Sequence, residues 1–86
     1  MPEISRFFGI VIHMYYRDHG RPHFHAIYGE HEVVMDISNG ELVSGTMLRR
    51  ALALIQAWYA LHQMELADNA ARASRHQALT KIASLE

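Results

Sequence analysis

The strongest hairpin signal in the sequence is the stretch His31-Glu32-Val33-Val34-Met35-Asp36-Ile37-Ser38-Asn39-Gly40-Glu41. Val33, Met35 and Ile37 recur at every second position, which is the period of a β-strand. Asn39-Gly40 comes next, and this dipeptide is a strong signal for a type I′ turn, because both central positions of that turn need positive φ. The stretch therefore predicts a strand over 31–37, a tight turn and a short returning strand over 41–44.

The chain before this stretch predicts further strands. The run from Ile4 to Tyr16 is rich in β-branched and aromatic residues on both alternating faces, which indicates one long strand covered on both sides. A second strand is expected from about His23 to Gly29. Together with the strands on either side of Asn39-Gly40, these segments predict an antiparallel meander over residues 1–45.

The hydrophobic period changes to about 3.6 residues after Gly45, which indicates an amphipathic helix. We expect one long helix over 46–74 with Thr46 as its N-cap, a break at Asp68-Asn69 being the alternative. Residues 75–86 form a tail whose structure stays open between a helical turn, an added strand and a partner-binding segment. The predicted class is α+β: a small antiparallel sheet of three to four strands packed against one long C-terminal helix.

Size and composition set limits on the class of protein. A chain of 86 residues, half of them hydrophobic, is expected to fold as a single domain over 1–86. A formal net charge of −1 argues against a polycation that coats nucleic acid. The absence of cysteine excludes disulfides, thiolate-bound metals and a cysteine nucleophile. No apolar run is long enough for a membrane span, so a cytoplasmic protein is expected.

Candidate functional residues concentrate in Arg17-Asp18-His19-Gly20-Arg21-Pro22-His23-Phe24-His25, which we call the signature stretch. Two residues apart on a strand, His23 and His25 would point to the same face. One imidazole could deprotonate an attacking hydroxyl and a second could protonate the leaving oxygen of a phosphodiester, while arginines stabilise the charged transition state. The candidate catalytic residues are His19, His23, His25, Arg17, Arg21, Tyr16 and Asp18, with Tyr15 as an alternative to Tyr16.

Other interpretations of the same residues remain open. His23 and His25 could ligate a divalent metal ion, although no cofactor is required by the acid–base chemistry. Hydrogen bonds among aspartate, histidine and arginine could instead hold the connection between two strands, or the exposed edges of the sheet could bind a partner. Arg49 and Arg50 at the expected helix start, where the helix dipole disfavours positive charge, indicate either a carboxylate on the sheet or a phosphate or acidic partner.

Three segments resemble a bacterial family called domain of unknown function 4160: Ile4–Ile10, Met14–His19, and Pro22–Ala26 with Tyr28-Gly29-Glu30. The similarity extends to Arg49-Arg50-Ala51-Leu52 and Trp58, although Met47 stands where family members usually have proline. Tyr16, Asp18, His19, Pro22, His23 and His25 match motif positions, to which the family assigns no roles.

The resemblance implies a small α+β protein that is often encoded beside a protein of the domain of unknown function 2442 family. Such gene pairs look like toxin–antitoxin modules, with this chain as the growth-inhibiting partner. From residues and resemblance together we expect a toxin-like protein that acts on RNA or another phosphorylated target as a metal-independent ribonuclease or related enzyme. Its expected partner is a small antitoxin-like protein, in a homo- or hetero-oligomer. A non-catalytic interaction module and a histidine-rich divalent-metal protein are the alternatives.

Overall fold

A computed structural model describes residues 3–16 and 20–85 and has an α+β fold. Within these residues, five strands form one antiparallel sheet in chain order: β1 (Glu3–Phe7), β2 (Ile10–His13), β3 (His23–Tyr28), β4 (His31–Asp36) and β5 (Leu42–Thr46). Two helices follow in the described chain, α1 (Arg49–Leu61) and α2 (Gln63–Ser74). The predicted α+β class is confirmed, but three to four strands and one long helix were wrong in detail.

The run from Ile4 to Tyr16, predicted as one strand, contains a hairpin. Phe7 pairs with Ile10, and the two residues between them, Phe8 and Gly9, have φ values of 49° and 80°. Positive φ at both positions of a two-residue loop is typical of a type I′ turn. The sequence pattern does not indicate this turn, because the phenyl group of Phe8 at the first turn position continues the apolar run.

The turn between β4 and β5 is longer than Asn39-Gly40 predicts. Asp36 N–H donates to the Glu41 carbonyl at 2.9 Å and Gly40 N–H donates to the Asp36 carbonyl at 2.8 Å, which closes a loop over 37–40. Of the dipeptide, Gly40 alone has positive φ. A Cβ on Gly40 would lie 2.5 Å from Cε2 of Tyr59, so glycine here also allows α1 to approach the sheet.

One face of the sheet packs against the helices. Phe24 on β3 lies edge-on to Trp58 with ring centroids 5.7 Å apart, and the Phe7 ring stacks on Trp58 at 5.5 Å. The core on this face is formed by large buried side chains from β1 to β4 and from both helices, among them Ile4, Phe7, Ile10, Ile12, Phe24, Val33, Met35, Ile55, Trp58 and Leu66. Because side chains alternate along a strand, the opposite face of the sheet is left uncovered by α1 and α2.

The helical region departs from the prediction at its start and in its middle. Thr46 ends β5, and Leu48 precedes the first residue of α1 without making a side-chain cap. The helix breaks at His62, whose φ of −128° is not helical, rather than at Asp68-Asn69. Asn69 lies fully buried inside α2.

The tail is extended and packs on the fold. Ile82 is buried, and its N–H donates to the Ile4 carbonyl at 2.7 Å. Asn69 accepts from the Thr80 N–H at 2.9 Å and donates to the Thr80 carbonyl at 2.8 Å, and Trp58 Nε1 donates to the Ala83 carbonyl at 2.9 Å. The tail therefore covers the outer edge of β1. Neither described helix is long and apolar enough to cross a membrane.

Candidate functional site

The structure describes part of the signature stretch. Arg17, Asp18 and His19, all predicted as candidate catalytic residues, lie outside the described residues. Gly20 to His25 and the preceding Tyr15 and Tyr16 are described. The geometry of the candidate site is therefore built from β3 and its two neighbouring strands.

The histidines of β3 lie at the centre of the sheet. Phe24 and Ala26 point into the core, so His23 and His25 project from the face that the helices leave uncovered. Their ring centroids are 5.2 Å apart. We call this uncovered surface, centred on His23, His25 and their neighbours, the histidine face.

A carboxylate on β4 orients His25. Nδ1 of His25 lies 2.8 Å from Oε2 of Glu32, and the His25 side chain is 18% exposed. An ionised carboxylate only accepts hydrogen bonds, so Nδ1 must carry the proton that it donates to Glu32. In the neutral imidazole this leaves the lone pair on Nε2, which is the atom able to accept a proton from a substrate.

A backbone carbonyl sets the tautomer of His23 in the same way. Nδ1 of His23 lies 3.1 Å from the carbonyl oxygen of Arg21, which can only accept. Nδ1 therefore donates, and Nε2 is the basic nitrogen of neutral His23 as well. Both imidazoles of the central strand thus have the same tautomer, fixed by one carboxylate and one carbonyl.

Two residues of β2 and its extension complete the histidine face. The Tyr15 ring meets the His25 ring edge-on at 4.5 Å, so of the two neighbouring tyrosines it is Tyr15 that contacts a histidine of β3. His13 pairs directly with His25 across the strands. Nδ1 of His13 is buried and has no hydrogen-bond partner among the described residues, which leaves one polar atom on this face unsatisfied.

Arg21, predicted as a catalytic cation, is held by the sheet. Its Nε donates to Oδ2 of buried Asp36 at 2.6 Å, and its Nη2 donates to Ser38 Oγ at 2.8 Å. The Arg21 hydrogen bond, helped by donors from Ser38, lowers the pKa of Asp36 from 3.8 to about 2, and the same pairing raises the pKa of Arg21. Arg21 therefore fixes the connection that leads into β3, as the bracing interpretation of the sequence expects.

Tyr16 contacts the C-terminal part of the chain. Its ring stacks on the His76 ring with centroids 6.0 Å apart and planes 13° from parallel. His76 has a φ of 57°, in the left-handed region that is most often occupied by glycine just after a helix. The end of α2 is thus brought to the residue that precedes Arg17.

Two residues that contact candidate site residues were not predicted from the sequence: Glu32, which orients His25, and His76, which stacks on Tyr16. Glu32 could have been found, since a tight turn at Gly29-Glu30 places β4 residues beside those of β3 in a fixed register. His76 carries no such signal, because its contact depends on where the tail crosses the fold. Within residues 3–16 and 20–85, no group of three or more histidine, aspartate or glutamate side chains could hold a metal ion.

The arrangement suits proton transfer at the surface of a sheet. Two imidazoles of defined tautomer stand side by side, and Glu32 would stabilise the cation formed when His25 takes up a proton. A base and an acid at this separation can serve the two oxygens that lie on opposite sides of a reacting phosphorus.

Comparisons with known proteins place these residues within one family. The model of a domain of unknown function, DUF4160, matches residues 9–69, which include β2, β3, β4, β5 and α1. Comparisons with curated proteins and with solved structures give no match.

Proposed function

This chain belongs to the domain of unknown function 4160 family, and from that premise we propose that it is the toxin-like, growth-inhibiting member of a bacterial toxin–antitoxin-type pair. Its target in this proposal is RNA, and its partner is a small antitoxin-like protein of the domain of unknown function 2442 family. The observation that carries the proposal is the His25–Glu32 pair with His23 beside it on the central strand.

In the proposed reaction, Nε2 of His25 accepts the proton of a ribose 2′-hydroxyl as that oxygen attacks the adjacent phosphorus. The bond from phosphorus to the 5′-oxygen breaks, and a protonated His23 donates the proton that this oxygen needs. The products are a 2′,3′-cyclic phosphate and a free 5′-hydroxyl. No metal ion takes part, and Glu32 stabilises the His25 imidazolium.

The first test is induced expression of the chain alone and together with the neighbouring antitoxin-like gene. We expect growth to stop in the first case and to continue in the second. His23→Ala/His25→Ala should restore growth while the purified variant stays folded and still binds its partner. The matched control is His31→Ala, which removes a histidine at the start of β4. A wild-type chain without effect on growth would refute the toxin proposal.

The second test separates catalysis from binding. Purified chain should cleave RNA in the presence of EDTA, with a bell-shaped pH dependence, because one imidazole must be neutral and the other protonated. His25→Ala should reduce the cleavage rate by about 10²–10⁴-fold, the range for loss of a general base. Glu32→Gln should also reduce the cleavage rate, because the amide no longer stabilises the imidazolium. Cleavage that EDTA abolishes would contradict the metal-independent mechanism.

A second candidate function is a non-catalytic interaction module, and the outer edge of the sheet supports it. Every residue of β5 is exposed, none of the five is charged, and Val43 is 61% exposed. Uncharged edge strands of this kind readily pair with a strand of another protein. Under this proposal His23→Ala/His25→Ala or Val43→Lys abolishes complex formation, whereas the toxin proposal requires the histidine variant to keep its partner.

A further inference from the structure

A cavity at the other end of β3 from His23 is separate from the histidine face. It has a volume of about 270 Å³ and lies between the β1–β2 turn, the end of β3 and the first turns of α1. Its walls are mostly aliphatic and aromatic, and they include one arginine and no carboxylate: Phe8, Ile10, Tyr28, Leu48, Arg50, Ala51 and Leu54. We call it the hairpin cavity.

Phe8 lies at the rim of the hairpin cavity, at a turn position where phenylalanine is an unfavourable residue type. Phe8 is 54% exposed and has a φ of 49°, a conformation that asparagine or glycine adopts with less strain. Tyr28 lies against the same turn, since a Cβ on Gly9 would be 3.2 Å from Tyr28 Cε1. The chain thus holds an exposed aromatic ring at this rim where a polar turn residue would be more stable.

The charge beside the hairpin cavity is positive and unbalanced. Arg49 and Arg50 occupy the first turn of α1, which contains no acidic residue. No carboxylate among the described residues forms an ion pair with either arginine. Within that part of the chain, the carboxylate on the sheet that would account for the two arginines is therefore missing, and the acidic-partner alternative gains support.

We propose that the hairpin cavity binds a segment of a partner protein in which one bulky apolar side chain is flanked by carboxylates. The apolar side chain fills the space between Phe8, Tyr28 and Leu54, and the carboxylates pair with Arg49 and Arg50. Aliphatic walls and two cations suit such a segment better than a nucleic acid, which needs a longer basic track along its phosphates. This inference does not depend on catalysis at the histidine face.

The test uses the isotope-labelled full chain and a short synthetic peptide that contains one tryptophan and one leucine among glutamates. We expect the largest amide shift changes in nuclear magnetic resonance spectra at Phe8, Tyr28 and residues 48–54. The same peptide with lysine in place of glutamate should cause no change there. An oligouridylate of similar length that binds the same residues more tightly would overturn the proposal and assign the cavity to RNA.

Two variants examine the apolar and the charged part separately. Phe8→Asn keeps a turn-compatible residue, so the fold is retained, and peptide affinity should fall by about tenfold. Arg50→Glu reverses an exposed charge and should weaken binding by about tenfold or more. Lys81→Glu is the matched control, because it changes the net charge equally at an exposed position in the tail. Folded Phe8→Asn and Arg50→Glu variants that bind like wild type would refute the site, as would shift changes spread over other surfaces.

Discussion

Among single residues, Asp36 connects the signature stretch to the sheet. Its carboxylate accepts hydrogen bonds from Arg21 Nε, from Ser38 N–H at 2.8 Å and from Ser38 Oγ at 2.6 Å. A buried carboxylate needs such donors, because an unpaired one would be strongly destabilising. Asp36 therefore determines both the shape of the β4–β5 loop and the position of the chain entering β3.

We predict that Asp36→Asn lowers the free energy of unfolding by about 2 kcal/mol at neutral pH, since it replaces hydrogen bonds to a charged acceptor. In the wild type the pKa of Asp36 is lowered from 3.8 to about 2 in the fold. Its contribution to stability is therefore complete above about pH 4 and is lost as the pH falls towards 2. Urea denaturation across this pH range measures both effects.

The control for that experiment is Asp68→Asn, which removes an exposed carboxylate paired with Arg72 one helical turn away. Exposed pairs of this kind contribute little, roughly 0.3–0.5 kcal/mol. The difference between wild type and the Asp36 variant should shrink between pH 4 and pH 2. A difference that is constant over this range would contradict the assignment.

Phe8 provides a prediction in the opposite direction. Phe8→Asn should stabilise the fold by about 1 kcal/mol, because the short polar side chain of asparagine can hydrogen-bond to the local backbone and so offsets the strain of the left-handed conformation in a type I′ turn. Phe8→Ala has no polar side-chain group that could make this hydrogen bond and should give no such gain. Thermal unfolding of wild type and the two variants measures these changes, and a lower midpoint for both variants than for wild type would show that the phenyl ring stabilises the fold.

Among the elements, the two helices and the tail form one unit. His62 separates the two helices, which bury Trp58 before the break and Leu66 and Asn69 after it. Nδ1 of His62 lies 2.6 Å from Oε1 of Glu65 in the first turn of α2. Asn69 then holds Thr80, so the buried polar residue that looked like a helix breaker is the anchor of the tail.

We predict that Asn69→Ala releases the tail from the edge of β1. The variant loses the Thr80 hydrogen bonds and leaves backbone groups unpaired, at a cost of about 1–3 kcal/mol. The Ile82 amide, which donates to Ile4, should then exchange its hydrogen much faster, while amides of β3 stay protected. The control is Asp68→Ala, which changes an exposed residue next to Asn69 in α2. Unchanged protection of Ile82 would contradict this role for Asn69.

In the whole molecule, one edge of the sheet is covered by another segment of the chain and the other edge is exposed. The tail covers β1 through Ile82, whereas β5 is an edge strand with exposed Leu42 and Val43. Charged side chains on an edge strand oppose pairing with other strands. The molecule thus protects one edge and leaves the other available for association.

We predict that Val43→Lys reduces aggregation on heating without a change of more than about 0.5 kcal/mol in the free energy of unfolding, because the side chain is at the surface. Light scattering during a thermal ramp measures the first quantity and urea denaturation the second. Gln56→Lys adds the same charge on the exposed side of α1 and serves as control. Equal protection by both lysines would show that net charge, and not the β5 edge, limits aggregation.

Much of this molecule followed from sequence. The alternation of apolar and polar residues predicted β3 and β4, and the change of hydrophobic period after Gly45 predicted the helical region. Each pattern arises because a strand or helix buries one of its faces. The same alternation placed His23 and His25 side by side. These features depend on residues close together in the chain.

The remaining features depend on tertiary contacts. Phe8 can adopt its left-handed turn because β1 and β2 pair around it, and the helix breaks at His62, a break that the continuous apolar stripe does not reveal. Arg21 meets Asp36, His25 meets Glu32, and His76 meets Tyr16 through contacts between segments distant in sequence. Which residues share a face of a strand or helix can be predicted from the sequence alone, since that follows from local backbone geometry. Which side chains meet across the sheet depends on register and tail path, and these are set by packing of the complete fold.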